Sequence, residues 1–283
     1  IHIPNEMVIE KPLHLLWVIT GNQPIQVFPR VLIQCDDSAR VTIIEHFVTL
    51  STAQTFTNAV TEIQMGENAK VEYLRIQNEG ESVYHISALG VCQDAHSQFN
   101  GHTLTFGGKL TRNDVDIQLT GEGAECRLNG LYAMRNKQHV DNHTVIRHIA
   151  PHTTSHENYK GIVTDQAQGV FDGKIVVSKN AVKTDAVQTN RNILLSDSAG
   201  VNSNPCLEIY TDDVACKHGS TTGQLDDDAI FYLQSRGIDP RSAKGLLING
   251  FAAEIIDGIK QQSVKLYLNN LLANWLAQNK SGN

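Results

Sequence analysis

From about residue 25 to residue 222 the chain is written in short runs of alternating apolar and polar residues, broken by Gly, Asn, Asp and Ser. Val41-Thr42-Ile43-Ile44, Val71 to Ile76, Val115 to Leu119 and Lys174 to Val177 read as strands, because residues two apart share one strand face. No 3.6-residue period lies between these runs, so the crossover helices of a βαβ sheet are missing. Hairpins need tight-turn dipeptides between paired strands, and candidates such as Asn129-Gly130 are scarce. A solenoid of strands fits what remains. A small or polar residue followed by alanine recurs at Ala39, Ala69, Ala95, Ala124, Ala167, Ala181, Ala199 and Ala215. Its intervals cluster around multiples of roughly 14–15 residues, the mark of coils that each bury an apolar face on the next. The pattern predicts a mainly β protein, a right-handed parallel β-helix over residues 1–225.

The period changes near the C-terminal end. Leu207 to Tyr210 reads as a strand, Thr211-Asp212-Asp213 as an acidic turn, and Val214 to His218 as a second extended run ending at Gly219. On that run Val214, Cys216 and His218 share a face, and Ala215 and Lys217 take the other. Asp226-Asp227-Asp228 then opens a helix that passes through Ile230, Phe231 and Leu233 and stops at Gly237. Asp239 is placed as the N-cap of a second helix with Pro240 at its first position. Its expected apolar stripe is Leu246, Leu247, Ile248, Phe251, Ile255 and Ile259. A third segment, Val264 to Leu276, carries Leu266, Leu268, Leu271, Leu272 and Trp275. Residues 226–283 are therefore expected to form a C-terminal helical domain whose helices pack on one another and leave a partner-facing surface.

Composition narrows the function. The net charge of −7, from 23 basic and 30 acidic residues, argues against a phosphate-tracking surface and hence against nucleic acid. No apolar run reaches the roughly 20 residues that cross a bilayer, and no signal-peptide pattern is visible. Cys35, Cys92, Cys126, Cys206 and Cys216 are scattered and odd in number, which is neither a disulfide framework nor a self-contained zinc or cluster site. A reducing compartment is the expected location.

The candidate chemistry begins with Cys216 and His218. Two residues apart on one strand face they lie roughly 6.5–7 Å apart along the chain, close enough to converge on one metal. Two ligands do not complete a tetrahedral iron or zinc site, so the pair reads as a half-site finished by another subunit, or as a buried thiol beside a hydrogen-bonded imidazole. His139, His143, His148, His152 and His156 form a denser run, of which His148, His152 and His156 have the even spacing that lets strand residues share a face. A structural role is expected for them. The acidic pairs Asp36-Asp37, Asp212-Asp213 and Asp226-Asp228 invite a β-helical carbohydrate-active enzyme of the lyase or hydrolase kind. Neighbours on one strand point to opposite faces, however, and do not form a facing carboxylate pair. Gly107-Gly108-Lys109 lacks the spacing of a phosphate loop, so no nucleotide hydrolysis is expected. Gln188, Asn190 and Asn192 share one face, which is either a ladder of stacked amides or a solvated surface. A purely structural solenoid is the remaining alternative.

The chain resembles the SufB/SufD family, the β-helical subunits of the SufBCD iron–sulfur cluster assembly complex. The resemblance is carried by Lys183-Thr184-Asp185-Ala186, Gln188-Thr189-Asn190-Arg191-Asn192, Leu194-Leu195-Ser196, Leu207-Glu208-Ile209-Tyr210, Asp212-Asp213-Val214, Cys216-Lys217-His218-Gly219 and Phe231 to Ile238. Weaker echoes stand at Glu45-His46-Phe47, Phe106-Gly107-Gly108, His148 to His152 and Tyr159-Lys160-Gly161. The chain looks more like SufD than SufB. Where the SufB pattern has a cysteine this chain has Arg191, and where SufB follows the shared histidine with a glutamate it has Gly219.

The resemblance implies a non-catalytic scaffold that pairs with SufB, docks the SufC ATPase through its helical tail, and forms a homodimer when alone. It implies that His218 lies near the SufB interface and serves cluster formation, with a partner thiolate completing the site and Cys216 of lesser weight. It also implies that no cluster is held stably by this chain alone, a transient one being formed at the interface. The expected location is the cytoplasm, or the plastid stroma of a plant or alga. SufD-like proteins carry a helical region before the point at which Ile1-His2-Ile3-Pro4 begins, so the chain is expected to be trimmed or processed.

Overall fold

A computed structural model describes residues 1–278. The first strands are β1 (His2–Ile3), β2 (Leu13–Ile19), β3 (Ile25–Val27), β4 (Arg30–Cys35), β5 (Arg40–Thr49), β6 (Thr55–Met65), β7 (Lys70–Asn78) and β8 (Val83–Gln93). They continue as β9 (Gln98–Thr105), β10 (Leu110–Leu119), β11 (Glu125–Met134), β12 (His139–His148), β13 (Thr154–Val163), β14 (Gln168–Val177), β15 (Thr184–Leu194), β16 (Gly200–Ile209) and β17 (Val214–Gly223). Among the described residues three helices follow, α1 (Asp227–Ser235), α2 (Pro240–Ile256) and α3 (Gln262–Gln278). Sheet A runs β1-β4-β6-β8-β10-β12-β14-β16 with β3 also paired to β6, and sheet B runs β2-β5-β7-β9-β11-β13-β15-β17. Every pairing is parallel, and the chain crosses from one sheet to the other after almost every strand. This is the expected parallel β-solenoid with C-terminal helices.

The repeat is visible in the register. Arg40, Lys70, Gln98, Glu125, Thr154, Asp185 and Ala215 stack one above another, at steps of 27 to 31 residues. One coil is two strands, so the alanine spacing seen in sequence is half a coil. At the corner leading from sheet A to sheet B, Ser38, Asn68, His96, Gly123, His152 and Lys183 take φ between +54° and +68°. That left-handed residue reverses the chain, and the next side chain points into a tight corner that admits only small groups. Ala39, Ala69, Ser97, Ala124, Thr153 and Thr184 occupy it, all buried. Ala167 and Ala199 fill the opposite corner, whereas Ala95 and Ala181 sit inside the turns and Ala215 on the outer face of β17. The sequence period drifts because it merges these positions.

Two apolar clusters hold the molecule. One fills the lumen between the sheets and includes Ile43, Tyr73, Phe99, Leu128 and Phe171. The other lies on the outside of sheet B, where Ile44, Leu74, Ile76, Leu104, Leu131 and Ile162 meet Ile248, Ile255, Leu268, Leu272 and Trp275 of α2 and α3. Burial of large aliphatic and aromatic side chains contributes about 1.5–3 kcal/mol each, so these helices are fixed to the solenoid by their own apolar faces.

Capping follows the sequence. Asp226 accepts from the Asp228 and Ala229 amides at 2.9 and 3.3 Å, and Asp239 from those of Arg241 and Ser242 at 3.1 and 3.0 Å. The expected stripes need correction. Leu246 is 52% and Leu266 61% exposed, and Ala243, Ala252, Ile256 and Val264 are buried in their place. Ala252, Ile256 and Val264 belong to the cluster against sheet B, so the face each helix turns to the solenoid includes positions that a stripe drawn from the sequence leaves out. α1 buries no residue, and its Phe231 and Tyr232 stand 72% and 57% exposed. β17 continues past the expected stop at Gly219, because its ladder with β15 runs on to Gly223.

Candidate functional site

The site is built on the last strand of sheet B. β17 pairs with β15 alone and β16 with β14 alone, so both sheets end there with an unpaired edge. Ala186, Gln188, Asn190 and Asn192 of β15 point into the lumen and are buried. Their register partners on β17 are Cys216, His218, Ser220 and Thr222. These four also face inward, but no further coil covers them. Cys216 is half-buried, and His218, Ser220 and Thr222 are exposed. Ser220 Oγ donates to Ser203 Oγ of β16 at 2.8 Å across the open end, and Asn192 Nδ2 donates to Thr222 Oγ1 at 3.2 Å. Burial and then the nearby Asp185 carboxylate push the Cys216 thiol above its ordinary value, which disfavours the thiolate.

The structure sets Cys216 and His218 on one face, as the strand alternation requires, and brings no third ligand to them. Among the described residues no three His, Cys, Asp or Glu side chains gather closely enough to hold a metal ion. Arg191 stands on the outer face of β15, opposite to the His218 face, with Nη1 3.4 Å from Glu254 Oε2 of α2. Lys160 and Asn158 reach the same carboxylate, and Lys160 Nζ also donates to the Phe251 carbonyl at 2.9 Å. Arg191 is thus part of the contact between helix and sheet.

The histidine run is dispersed by a corner. His148 faces the lumen on β12, buried between the Thr153 and Ser155 hydroxyls at 2.8 Å each, and burial pulls its pKa down to about 4. His152 is the left-handed corner residue, and His156 lies on the outer face of β13. The even spacing of these three does not place them on one face, because a turn separates β12 from β13. His143, on the outer face of β12, lies 2.7 Å from Asp141 and 3.3 Å from Arg112.

The acidic pairs do not converge either. Asp36 meets His2 at 2.7 Å, Asp213 meets Lys183 at 2.9 Å, and Asp226 caps α1. Gln188, Asn190 and Asn192 form neither a solvated face nor a ladder of like amides. They belong to an interior network in which Gln188 Nε2 donates to Glu157 Oε2 at 2.6 Å, Asn190 Nδ2 to the Tyr159 carbonyl at 3.2 Å, and the Tyr132 hydroxyl to Asn192 Oδ1 at 2.5 Å.

Other interior polar residues escape a reading by alternation. Glu45 is buried against the Tyr73 hydroxyl, Arg75 Nη2 at 3.2 Å and Thr61 Oγ1 at 2.9 Å. Burial opposes its ionisation, but Arg75 and the hydroxyl donors prevail and hold its carboxyl below the usual range. Glu79 meets His85 Nδ1 at 2.7 Å in a pair with no exposed surface. Glu157 lacks a cation, and burial raises its pKa to about 7. Glu45 sits in a strand whose other inward positions, Val41, Ile43 and Phe47, are apolar, Glu79 lies just past the end of β7, and Glu157 follows the buried Ser155 on β13. For Glu45 and Glu157 the available signal was the coil period, which stacks them on Arg75 and Gln188.

Residues 17–251 match the family described as "SUF system FeS cluster assembly, SufBD core domain". The chain is 36% identical over 272 residues to an iron–sulfur cluster assembly SufBD family protein of Synechocystis sp., covering 93% of this chain and 60% of that protein. It is 34% identical over 258 residues to the iron–sulfur cluster assembly protein SufD of Escherichia coli, covering 90% and 61%. With the chloroplastic protein ABCI7 of Arabidopsis thaliana it shares 32% over 273 residues, covering 94% and 58%. The chain thus spans about three-fifths of the length of these relatives.

Proposed function

We propose that this chain, which belongs to the SufBD core family of the SUF iron–sulfur cluster assembly system, is a SufD-like scaffold subunit of that assembly. The observation that carries the reading is the open C-terminal end of the solenoid. There two unpaired sheet edges frame an inward face bearing Cys216 and His218. Free parallel edges accept another sheet by backbone hydrogen bonding, and the fitting partner is a SufB-like subunit, or a second copy when the chain is alone.

His218 serves cluster formation in this reading. A neutral imidazole ligates iron or moves a proton, and the ligands missing from a tetrahedral site come from the facing subunit. That partner group must approach the lumen side of β17, since Arg191 is on the other face. The cluster is the cargo of the complex and is not held stably by this chain by itself. The chain performs no catalysis of its own, and ATP hydrolysis belongs to the partner.

Docking of a SufC-like ATPase is assigned to residues 226–283, with α1 as its centre. α2 and α3 spend their apolar faces on sheet B, while Phe231 and Tyr232 of α1 are exposed. The proposed compartment is reducing, the cytoplasm or a plastid stroma. All five cysteines are unpaired, and among the described residues no helix is long and apolar enough to cross a membrane. The reading is tested by complementation of a strain dependent on this pathway. His218→Ala is expected to lose cluster production and keep the complex, whereas full rescue contradicts the role.

A further inference from the structure

The column that contains His218 can be followed inward coil by coil. Leu128 of β11 pairs with Glu157 of β13, Glu157 with Gln188 of β15, and Gln188 with His218 of β17. Glu157 and Gln188 are buried. Gln188 Nε2 donates to Glu157 Oε2 at 2.6 Å, so the amide nitrogen is engaged toward the interior and the carbonyl oxygen is its other end. Among the described residues no donor meets that buried Oε1.

From sheet A the amide is confined by Gly173, where an added Cβ would come within 2.5 Å of Gln188 Nε2. An unpartnered buried acceptor is costly and takes a donor that comes within reach. The next member of the column is His218, whose backbone runs one strand spacing of about 4.8 Å away. Its exposed imidazole makes no hydrogen bond to Gln188 in this structure, so a rotation of its side chain must bring the ring to the amide.

We propose that Gln188 is a positioning residue for His218, and that Glu157 holds Gln188 for that task. The Gln188 carbonyl accepts the N–H of the His218 ring nitrogen that faces it. The imidazole proton is then fixed on the inward nitrogen, and the lone pair of the other nitrogen is turned toward the open end. A histidine that delivers one nitrogen to a metal or a proton has its tautomer set by what the other nitrogen bonds. Glu157 acts one step further back, by fixing which end of the Gln188 amide points outward. This deepens the cluster-assembly reading and rests on it, since it assigns partners to the histidine given that role.

The test joins a spectroscopic and a cellular measurement. The purified chain is labelled with 15N-histidine and examined at alkaline pH, where imidazole is neutral, the His218 signals being assigned by their loss in His218→Ala. Wild type is expected to show one tautomer. Gln188→Leu is expected to show a mixture and to lower cluster output in complementation about tenfold or more, as loss of a ligand-orienting partner does. Glu157→Gln keeps an acceptor for Gln188 and is expected to retain the tautomer, with output within about twofold of wild type. Glu157→Leu frees the amide and behaves like Gln188→Leu. Thermal unfolding of each variant shows that it is folded, and if Glu157→Leu is not, Gln188→Leu and Glu157→Gln decide. An unchanged tautomer in folded Gln188→Leu overturns the positioning role, even if His218→Ala is inactive. A mixed tautomer in Gln188→Leu combined with full rescue by His218→Ala supports the Gln188 contact and overturns the assembly role of the histidine.

Discussion

The lumen is polar at both ends of sheet B, and the two ends treat that polarity in opposite ways. In the early coils Glu45, Tyr73, Arg75 and Thr61 are sealed by neighbours on both sides, and each polar group meets another. In the last coil Cys216, His218, Ser220 and Thr222 occupy the same kind of inward position, with a neighbour on one side only. Strand geometry is the same in both places. What differs is whether another coil follows, and that converts an inward side chain from a packing element into one that a partner can reach.

The largest expected effect is at the sealed end. Glu45→Ala leaves the Arg75 guanidinium buried without its carboxylate, which is expected to cost about 3–5 kcal/mol in denaturant unfolding. A loss below about 1 kcal/mol breaks the contrast with the open end, where surface-like values apply.

A pH comparison sharpens the same point within the lumen. Glu45 has a cation and is held below the usual carboxylate range, whereas Glu157 lacks one and burial raises its pKa to about 7. A carboxyl whose folded pKa lies above its unfolded one binds more protons when folded. Its contribution to stability is therefore intact below about pH 4.5, is lost as pH rises to about 7, and is level beyond. Glu157→Gln is expected to abolish that loss, on the order of 3 kcal/mol between the two limits. Parallel stability profiles of wild type and Glu157→Gln across that window refute the assignment.

How much of this was legible before the fold was known depends on the period involved. Strands such as Val71 to Ile76 were found because their alternation is local, and the caps at Asp226 and Asp239 because capping needs only a few adjacent residues. The pairing of Cys216 with His218 on one face followed from the two-residue period alone. Glu157 and Gln188 were not found as a pair, since they are 31 residues apart and meet only through the coil register. The histidine run failed for a related reason, as even spacing carries no meaning across the corner at His152. Leu246 and Leu266 were misplaced because the helical stripe was drawn from side-chain size, while the outer face of sheet B takes Ala252, Ile256 and Val264 at the contact.

At the open end and on α1 the expected effects on stability are small. Phe231→Ser with Tyr232→Ser is expected to change unfolding free energy by less than about 0.5 kcal/mol and to abolish co-purification with the ATPase partner. Deleting residues 226–283 is a poorer test, because it uncovers Ile44, Leu74, Leu104 and Ile162. Retained co-purification of the double variant would move the docking surface away from α1. Cys216→Ser is expected to be milder than His218→Ala in cells, since burial already disfavours the thiolate.

The central claim is that the uncovered inward face of β17 acts in cluster assembly without holding the fold together. It is tested most directly by His218→Ala in a strain that depends on this pathway, with complex formation and thermal stability measured on the same variant. The expected result is unfolding within about 0.5 kcal/mol of wild type, an intact complex and a loss of cluster production. Full rescue of growth, or loss of the complex itself, would contradict it.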